Sequence, residues 1–215
     1  MSLFRLDASI RTDGSHSREI ADLVEKPWLD AHPDVPVTKR DLGRTPLPAG
    51  AWPDAVAAGY VPAEQRTPEQ AAAVELAAEL ADELVDADAY VFALPLYNFG
   101  VSQHFKAWVD LVITDPRFAA GAEPVLKGRP AVLVVVRGGG YAPGTPRDGW
   151  DHATGWVRRI LAEVWDLDLK VIEADLTLSY VVPALAELQP VADEFRAKAE
   201  ASAAEHGAVL AAARA

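Results

Sequence analysis

The sequence predicts a doubly wound α/β fold in which helices cover both faces of a five-stranded parallel sheet, with the strands in the order 2-1-3-4-5. Short apolar segments alternate along the chain with longer amphipathic or alanine-rich segments, as strands alternate with helices in this class. The apolar runs 89–94 and 131–136 are continuous, which is typical of parallel strands that are buried on both faces. The length of 215 residues suits a single domain over residues 1–215.

Capping residues and prolines place the other elements. The first helix should begin at Ser15 or Ser17, since either serine is a plausible N-cap, and should kink or break at Pro27. Pro36 lies near the start of the second strand and suits an edge of the sheet, where the order 2-1-3-4-5 places that strand. The predicted strands are residues 3–8, 35–42, 89–94, 131–136 and 169–176, and the later predicted helices are residues 67–85, 101–113, 153–165 and 188–212.

Residues 43–66 contain several prolines and glycines and are predicted to be a long excursion with little regular structure. Such segments are usually covers of a functional site or arms that bind a partner, and the sequence leaves the role of this one open. The excursion ends at Thr67-Pro68-Glu69-Gln70, which has the N-cap, the first-turn proline and the capping-box glutamine of a helix start.

Composition excludes several classes of function. The chain has no cysteine, which excludes disulfides, thiolate metal sites and cysteine nucleophiles and fits a cytoplasmic protein. The formal net charge of −12 argues against non-specific binding to nucleic acid or to anionic membranes. No apolar run reaches the ~18 residues of a membrane span, and the histidines lack metal-ligand spacing, so we expect neither a membrane segment nor a metal site.

The loop after the first strand is rich in hydroxyl groups and leads into a helix. The unpaired N–H groups and the partial positive charge of a helix N-terminus, together with serine hydroxyls, can hold a phosphate. The alternative interpretation is a plain N-cap and turn, because serines commonly precede helices. The candidate binding residues of this loop are Ser9, Arg11, Ser15, His16 and Ser17.

A second loop follows the buried run 89–94. Its two aromatic residues, its amide side chain and its backbone N–H groups suit a flat heterocycle such as a flavin ring, although a core turn with buried aromatics is the alternative. Its residues are Pro95, Leu96, Tyr97, Asn98 and Phe99.

A third loop follows the run 131–136, and its candidate binding residues are Val136, Arg137, Gly138 and Gly139. The glycines would let the backbone approach a flat ligand closely, and the alternative is a flexible turn at a strand end. Because the three loops follow the first, third and fourth strands, they should meet at one edge of the sheet, where open α/β sheets bind ligands. Their conjunction predicts a phosphate-tailed aromatic cofactor.

These residues resemble those of the FMN-dependent NADH-azoreductases, which belong with the flavodoxin-like NAD(P)H:quinone reductases. The resemblance covers nearly the whole chain and is strongest at Ser9, at residues 15–17, at residues 95–99 and at residues 137–139. It implies a flavodoxin-like fold and a homodimer in which each active site is completed by the other subunit.

The resemblance also assigns roles to residues. It implies that Ser9, Ser15 and Ser17 hold the FMN phosphate, with His16 where the family often has a glutamine. It further implies that residues 96–99 line the flavin ring and that residues 137–139 lie near its pyrimidine edge.

Two departures from the family concern the substrate side. Val136 stands where some relatives carry a serine, which removes one polar contact, and residues 141–150 differ in length and composition. Substrate choice is therefore less defined than cofactor choice. His104 and His152 follow two of the cofactor loops and either touch the flavin or lie half-exposed at a helix start.

The predicted function is an FMN-dependent oxidoreductase that moves two electrons from NADH or NADPH to quinones or azo compounds by a ping-pong hydride mechanism. Since the flavin N5 carries the hydride, no residue is expected to act as a nucleophile. Two alternatives stay open: a flavodoxin-type electron carrier that docks on a protein partner, and an FMN-dependent tailoring reductase of one specialised metabolite.

Overall fold

A computed structural model of the chain describes residues 1–212 and contains a central parallel sheet. Its strands are β1 (Leu3–Asp7), β2 (Val37–Asp41), β3 (Ala89–Tyr97), β4 (Gly100–Val101), β5 (Pro130–Val136) and β6 (Asp168–Ala174). Five of them pair in parallel in the order β2-β1-β3-β5-β6, and the short β4 pairs antiparallel with the end of β3. The predicted order 2-1-3-4-5 is thus confirmed, with the second strand at an edge.

Within residues 1–212, six α-helices connect and cover the strands. They are α1 (His16–Ala31), α2 (Ala51–Ala58), α3 (Pro68–Val85), α4 (Gln103–Val112), α5 (Thr154–Arg158) and α6 (Gln189–Ala212), and a π-helical segment, Arg159–Val164, continues α5. The predicted capping box at the start of α3 is present, with Thr67 and Gln70 each accepting from the other's backbone N–H. Among the described residues, none of the helices combines the length and the apolarity that a membrane crossing needs.

Alternation along the strands divides the core into two layers. Leu3 of β1 packs with buried residues of α1 and α6, whereas its neighbour Phe4 packs on the opposite face with residues of α2 to α5. On that second face Phe4 stacks on Trp108 of α4, with ring centroids 6.2 Å apart. Full burial of side chains of this size is worth about 1.5–3 kcal/mol each, so both faces of the sheet contribute to stability.

The structure corrects two expectations about helices, a break at Pro27 and little regular structure in residues 43–66. Helix α1 does not break at Pro27 but continues to Ala31, because the loss of one hydrogen bond near its end is offset by the fully buried Trp28, whose carbonyl accepts from the N–H of His32. Residues 43–66 are more regular than expected and contain α2. Pro53 lies in the first turn of α2, where a missing N–H removes no helical hydrogen bond.

The strand before the second loop is longer than predicted. Strand β3 runs to Tyr97, turns through Asn98 and Phe99, and returns as β4. Both turn residues have positive φ, 49° and 68°, as the two central residues of a type I′ hairpin do. The hairpin delays the start of the following helix to Gln103 and carries the two aromatic residues beyond the carboxyl edge of the sheet.

Candidate active site

A cleft of about 360 Å3 lies at the carboxyl edge of the sheet. It is bounded by the loops after β1, β3, β5 and β6. All of the predicted cofactor residues except Arg137 line it: Ser9, Arg11, Ser15, His16, Ser17, Pro95, Leu96, Tyr97, Asn98, Phe99, Val136, Gly138 and Gly139. The topology therefore brings the three predicted loops together in one concave surface.

The serines of the first loop form a buried polar end of this cleft. Ser9, Ser15 and Ser17 are each less than 5% exposed. Ser15 occupies the N-cap position of α1, yet its hydroxyl makes no capping bond and instead lies 3.3 Å from Ser17 Oγ. Since the first-turn N–H groups of a helix have no intrahelical partner, N–H donors and serine hydroxyls converge here, as an anion site requires.

Arg18 holds this loop from behind. Its guanidinium donates to the carbonyls of Ser9 and Arg11 at 2.9 and 3.0 Å and to both carboxylate oxygens of Asp41 at 2.7 Å. Burial would raise the pKa of Asp41, but hydrogen bonds from Arg18 and the backbone N–H of Arg44, with the charges of both arginines, lower it below its ordinary value. The loop after β1 is thereby fastened to the end of β2.

A glycine makes this close approach possible. A Cβ built on Gly43 would lie 1.9 Å from the carbonyl oxygen of Ser9, so no larger residue fits without moving one backbone or the other. The Gly43 N–H also donates to Asp41 Oδ1 at 3.1 Å. The start of the segment that the sequence left without a role therefore supports the first loop.

The second loop contacts the first through a phenol. The Tyr97 hydroxyl lies within hydrogen-bonding distance of the Ile10 N–H and of Ser9 Oγ. Beyond it, the Phe99 ring meets Trp150 and Tyr141 edge to face, with centroids 5.4 and 6.4 Å away. The hairpin tip and the segment around residues 141–150 thus make one wall of the cleft.

Arg137, unlike the other predicted cofactor residues, is not among the residues that line the cleft. Its guanidinium is buried away from the cleft and binds Asp175 at 2.6 Å, Asp151 at 2.8 Å and Glu173 at 2.9 Å. Burial alone would lower the pKa of Arg137, but these carboxylates raise it. Because Asp151 also accepts from the N–H groups of Ala153 and Thr154, Arg137 joins the start of α5 to the end of β6.

Sequence reasoning missed two residues at the far side of the cleft, Thr177 and Leu178. The Leu178 N–H donates to the Gly138 carbonyl at 3.1 Å, and a Cβ on Gly138 would lie 2.7 Å from Leu178 Cγ. The absence of a side chain at Gly138 thus lets the loop after β6 pack against the loop after β5, and it also leaves room for a ligand. The topology alone could have indicated them, because these residues follow the fifth parallel strand, which ends at the same edge of the sheet as the other three loops.

A family model described as a flavodoxin-like fold matches residues 1–203. The chain belongs to this family. It is 42% identical over 204 residues to a curated FMN-dependent NADH:quinone oxidoreductase of Frankia casuarinae, covering 94% of this chain and 95% of the relative. It is 36% identical over 211 residues to a protein of the same name from Streptomyces avermitilis, covering 98% and 97%. The resemblance stated from the sequence is confirmed.

Solved structures share the flavodoxin-like fold. An azoreductase from Bacillus anthracis str. Sterne has a TM-score of 0.78 at 18% identity, covering 97% of this chain and 99% of that chain. An FMN-dependent NADH-azoreductase from Bacillus anthracis str. Ames Ancestor, solved in complex with FMN, has a TM-score of 0.73 at 16% identity, covering 98% of each. At these identities the likeness shows the fold.

Two further residues line the cleft, Tyr141 and Arg147, and both belong to the segment 141–150. The Arg147 guanidinium carbon lies 5.8 Å from the centroid of the Phe99 ring. Neither His104 nor His152 belongs to the lining of the cleft, and the His152 N–H donates to the Phe99 carbonyl at 2.9 Å. His152 therefore contacts the hairpin tip through its backbone N–H.

Proposed function

We propose that this protein is an FMN-dependent oxidoreductase that transfers two electrons from NADH or NADPH to a quinone or an azo compound. The observation that carries the proposal is the pairing of a buried hydroxyl-lined anion site with an aromatic hairpin wall in one cleft. The curated relatives support the same reaction, because their sequences match nearly the whole chain and their names state that activity.

The residues present fit an FMN phosphate. Ser9, Ser15 and Ser17 would hold it, since their hydroxyls are buried and the Ser15 hydroxyl is not used for capping. The charged side chains in the lining are Arg11 and Arg147, and no lining residue among the described ones is an Asp or a Glu. On a chain of net charge −12, such a cleft is a local electropositive site that favours anionic ligands.

The opposite end of the cleft fits the isoalloxazine ring. Leu96 and Val136 are less than 9% exposed and would offer apolar contact, while the Tyr97–Phe99 turn and the backbone at Gly138 and Gly139 would offer polar atoms to the ring edge. When bound, FMN supplies two-electron hydride chemistry, by which a reduced nicotinamide is oxidised and a quinone or azo bond is reduced.

The chain's own part in this reaction is binding and orientation. None of the described lining residues is an Asp or a Glu, and the wall residues are aromatic, so the cleft positions flat molecules. Reduction of a quinone to a hydroquinone consumes one hydride and one proton, and the open mouth of the cleft lets water provide that proton.

Assembly and location are further parts of the proposal. We propose a homodimer in which the partner completes the cleft. The exposed aromatic side chains at the mouth support it, since Trp150 is 50% and Phe99 38% exposed. We also propose a cytoplasmic location, in line with a sequence free of cysteine.

The purified protein provides the test. Its absorption spectrum should show a flavin, NADH should bleach that spectrum without oxygen, and chromatography of the denatured protein should release FMN. Steady-state oxidation of NADH with a quinone then separates an enzyme from an electron carrier. Release of FAD, or reduction by NADH without turnover of any quinone or azo compound, would overturn the proposal.

A further inference from the structure

His16 begins α1 beside the buried serines, and its ring is contacted by two elements distant in sequence. Arg196 of α6 places its Nη1 atom 2.8 Å from His16 Nδ1. The Tyr180 ring, from the segment after β6, lies 5.4 Å from the imidazole between ring centroids. On α1 itself, Glu19 carries a carboxylate oxygen 3.7 Å from Nδ1. His16 is therefore held in place rather than free to rotate.

Arg196 is itself fixed by two carboxylates. Its Nη1 donates to Glu19 at 2.8 Å and its Nε donates to Glu200 at 2.7 Å. Burial would lower the pKa of Arg196, but the hydrogen bonds and charges of these two partners raise it. A charged guanidinium thus faces His16 in a defined orientation.

The chemistry of the pair determines where the imidazole proton lies. A guanidinium has only N–H donors, so His16 Nδ1 must be the acceptor of the 2.8 Å contact and cannot carry a proton. A neutral imidazole has one N–H, which is then on Nε2. Because His16 lines the cleft next to Ser15 and Ser17, Nε2 is the ring nitrogen left to serve a ligand there.

We propose that Arg196 is a positioning residue that holds His16 as the tautomer protonated on Nε2, so that His16 donates this N–H to the phosphate of the bound cofactor. The proposal rests on the proposed FMN site and adds to it a role for α6.

The charges around His16 act in the same direction. Burial is the largest influence and lowers the pKa of His16 below its ordinary value of 6.5, and the positive charges of Arg196 and Arg11 lower it further. The negative charge of Glu19 opposes them without reversing the shift. His16 should therefore remain neutral at pH 7.5. A neutral imidazole has a single N–H, so the tautomer decides which ring nitrogen donates.

Long-range 1H–15N NMR of the full chain reads the tautomer directly. At pH 7.5 the wild-type protein should show a protonated Nε2 and an unprotonated Nδ1 for His16, with and without FMN. Arg196→Met should lose this single pattern, and Arg196→Lys should restore it. Glu200→Gln, which removes a partner of Arg196 but leaves the His16 contact, should keep it. An Nδ1–H tautomer or an imidazolium in the wild-type protein would by itself overturn the proposal, whatever the variants show.

A double-mutant cycle tests the link to the phosphate. Arg196→Met should raise the Kd for FMN about threefold to tenfold in the wild-type background and by clearly less in the His16→Gln background. Riboflavin, which lacks the phosphate, should bind all of these variants equally. Equal losses of FMN affinity in both backgrounds would mean that Arg196 acts without His16 and would overturn its positioning role. A wild-type protein that binds neither FMN nor riboflavin would overturn the proposed function instead.

Discussion

Tyr97, at the end of β3, accepts a hydrogen bond from the Ile10 N–H at 3.1 Å, and its oxygen lies 3.4 Å from Ser9 Oγ. One phenol therefore joins the loop after β1 to the hairpin after β3. This contact sets the spacing between the two ends of the cleft before any ligand is present. A preset spacing lowers the entropy lost on binding, which is how preorganised sites gain affinity.

Replacing Ser15 and Ser17 together by alanine should weaken FMN binding at least about tenfold, since each hydrogen bond to a charged group contributes about 1.5–3 kcal/mol. Fluorescence titration of FMN measures the loss. Ser202→Ala on α6, outside this cleft, is the matched control and should bind FMN as the wild type does. An unchanged Kd for the double variant would mean that these hydroxyls do not bind the FMN phosphate.

Gly43→Ala should disturb both stability and cofactor binding, because the new Cβ would meet the Ser9 carbonyl at 1.9 Å. Overpacking of this kind costs about 1–3 kcal/mol, and the displaced loop carries the buried Ser9 hydroxyl. Gly155→Ala in α5 is the control, since a Cβ there meets nothing within 4 Å. Urea unfolding should place Gly155→Ala at or slightly above the wild type and Gly43→Ala clearly below it.

Arg147→Gln should impair turnover of anionic acceptors selectively, because Arg147 is exposed in the lining of a cleft without carboxylates. An exposed charge interaction is worth about 0.2–1 kcal/mol, so kcat/KM for anthraquinone-2-sulfonate should fall by a factor of roughly 1.4 to 5, while that for neutral 1,4-benzoquinone stays constant. Arg159→Gln, at an exposed site outside the lining, should change neither. A rise in KM for NADH with no change for either quinone would mean that Arg147 binds the nicotinamide dinucleotide instead of the acceptor.

Asp41 should contribute stability that acid removes. Its pKa is lowered in the folded protein, so its contribution is fully present above the ordinary carboxyl pKa of about 4 and is lost as the pH falls through the lowered value. Asp41→Asn should therefore be less stable than the wild type at pH 7, with the difference shrinking at pH 3. Asp34→Asn, at an exposed carboxylate, provides the comparison in urea unfolding at both pH values. A constant difference for Asp41→Asn would contradict the linkage.

Kinetics should be ping-pong, because the nicotinamide and then the acceptor would use the same open face of a flavin bound in this cleft. Double-reciprocal plots against NADH at several quinone concentrations should be parallel, and high quinone should compete with NADH. Intersecting lines would indicate a ternary complex and a second binding surface.

The sequence predicted those features that depend on strand ends. Ser9, Tyr97 and Gly138 could be placed together because each lies at or just beyond the end of a strand whose neighbours the predicted topology defines. The turn of Arg137 away from the cleft could not be foreseen, since two of its carboxylate partners, Asp151 and Asp175, come from other parts of the chain and only the folded structure brings them to it.

Local chemistry explains the remaining differences. The prolines between residues 43 and 66 predict irregular structure, because the sequence does not show where a proline would fall within a helix. Pro53 lies in the first turn of α2, where a helix tolerates proline. Thr177 and Leu178 lie in a segment without glycine and do not lead directly into a long helix, so they lack the signals that mark the first and third loops. Their place in the cleft follows from backbone pairing with residues 137 and 138, which periodicity does not reveal.

The pairing of Thr177 and Leu178 with the loop after β5 has a consequence for the order of folding. The far side of the cleft exists only once β6 has joined the sheet, and the near side belongs to β1 at the start of the chain. Contacts between segments so far apart in sequence are expected to slow folding, because a long loop must close before they can form. We expect cofactor binding to require chains that have completed the whole sheet, so that the flavin colour of a preparation would report the fraction of folded molecules.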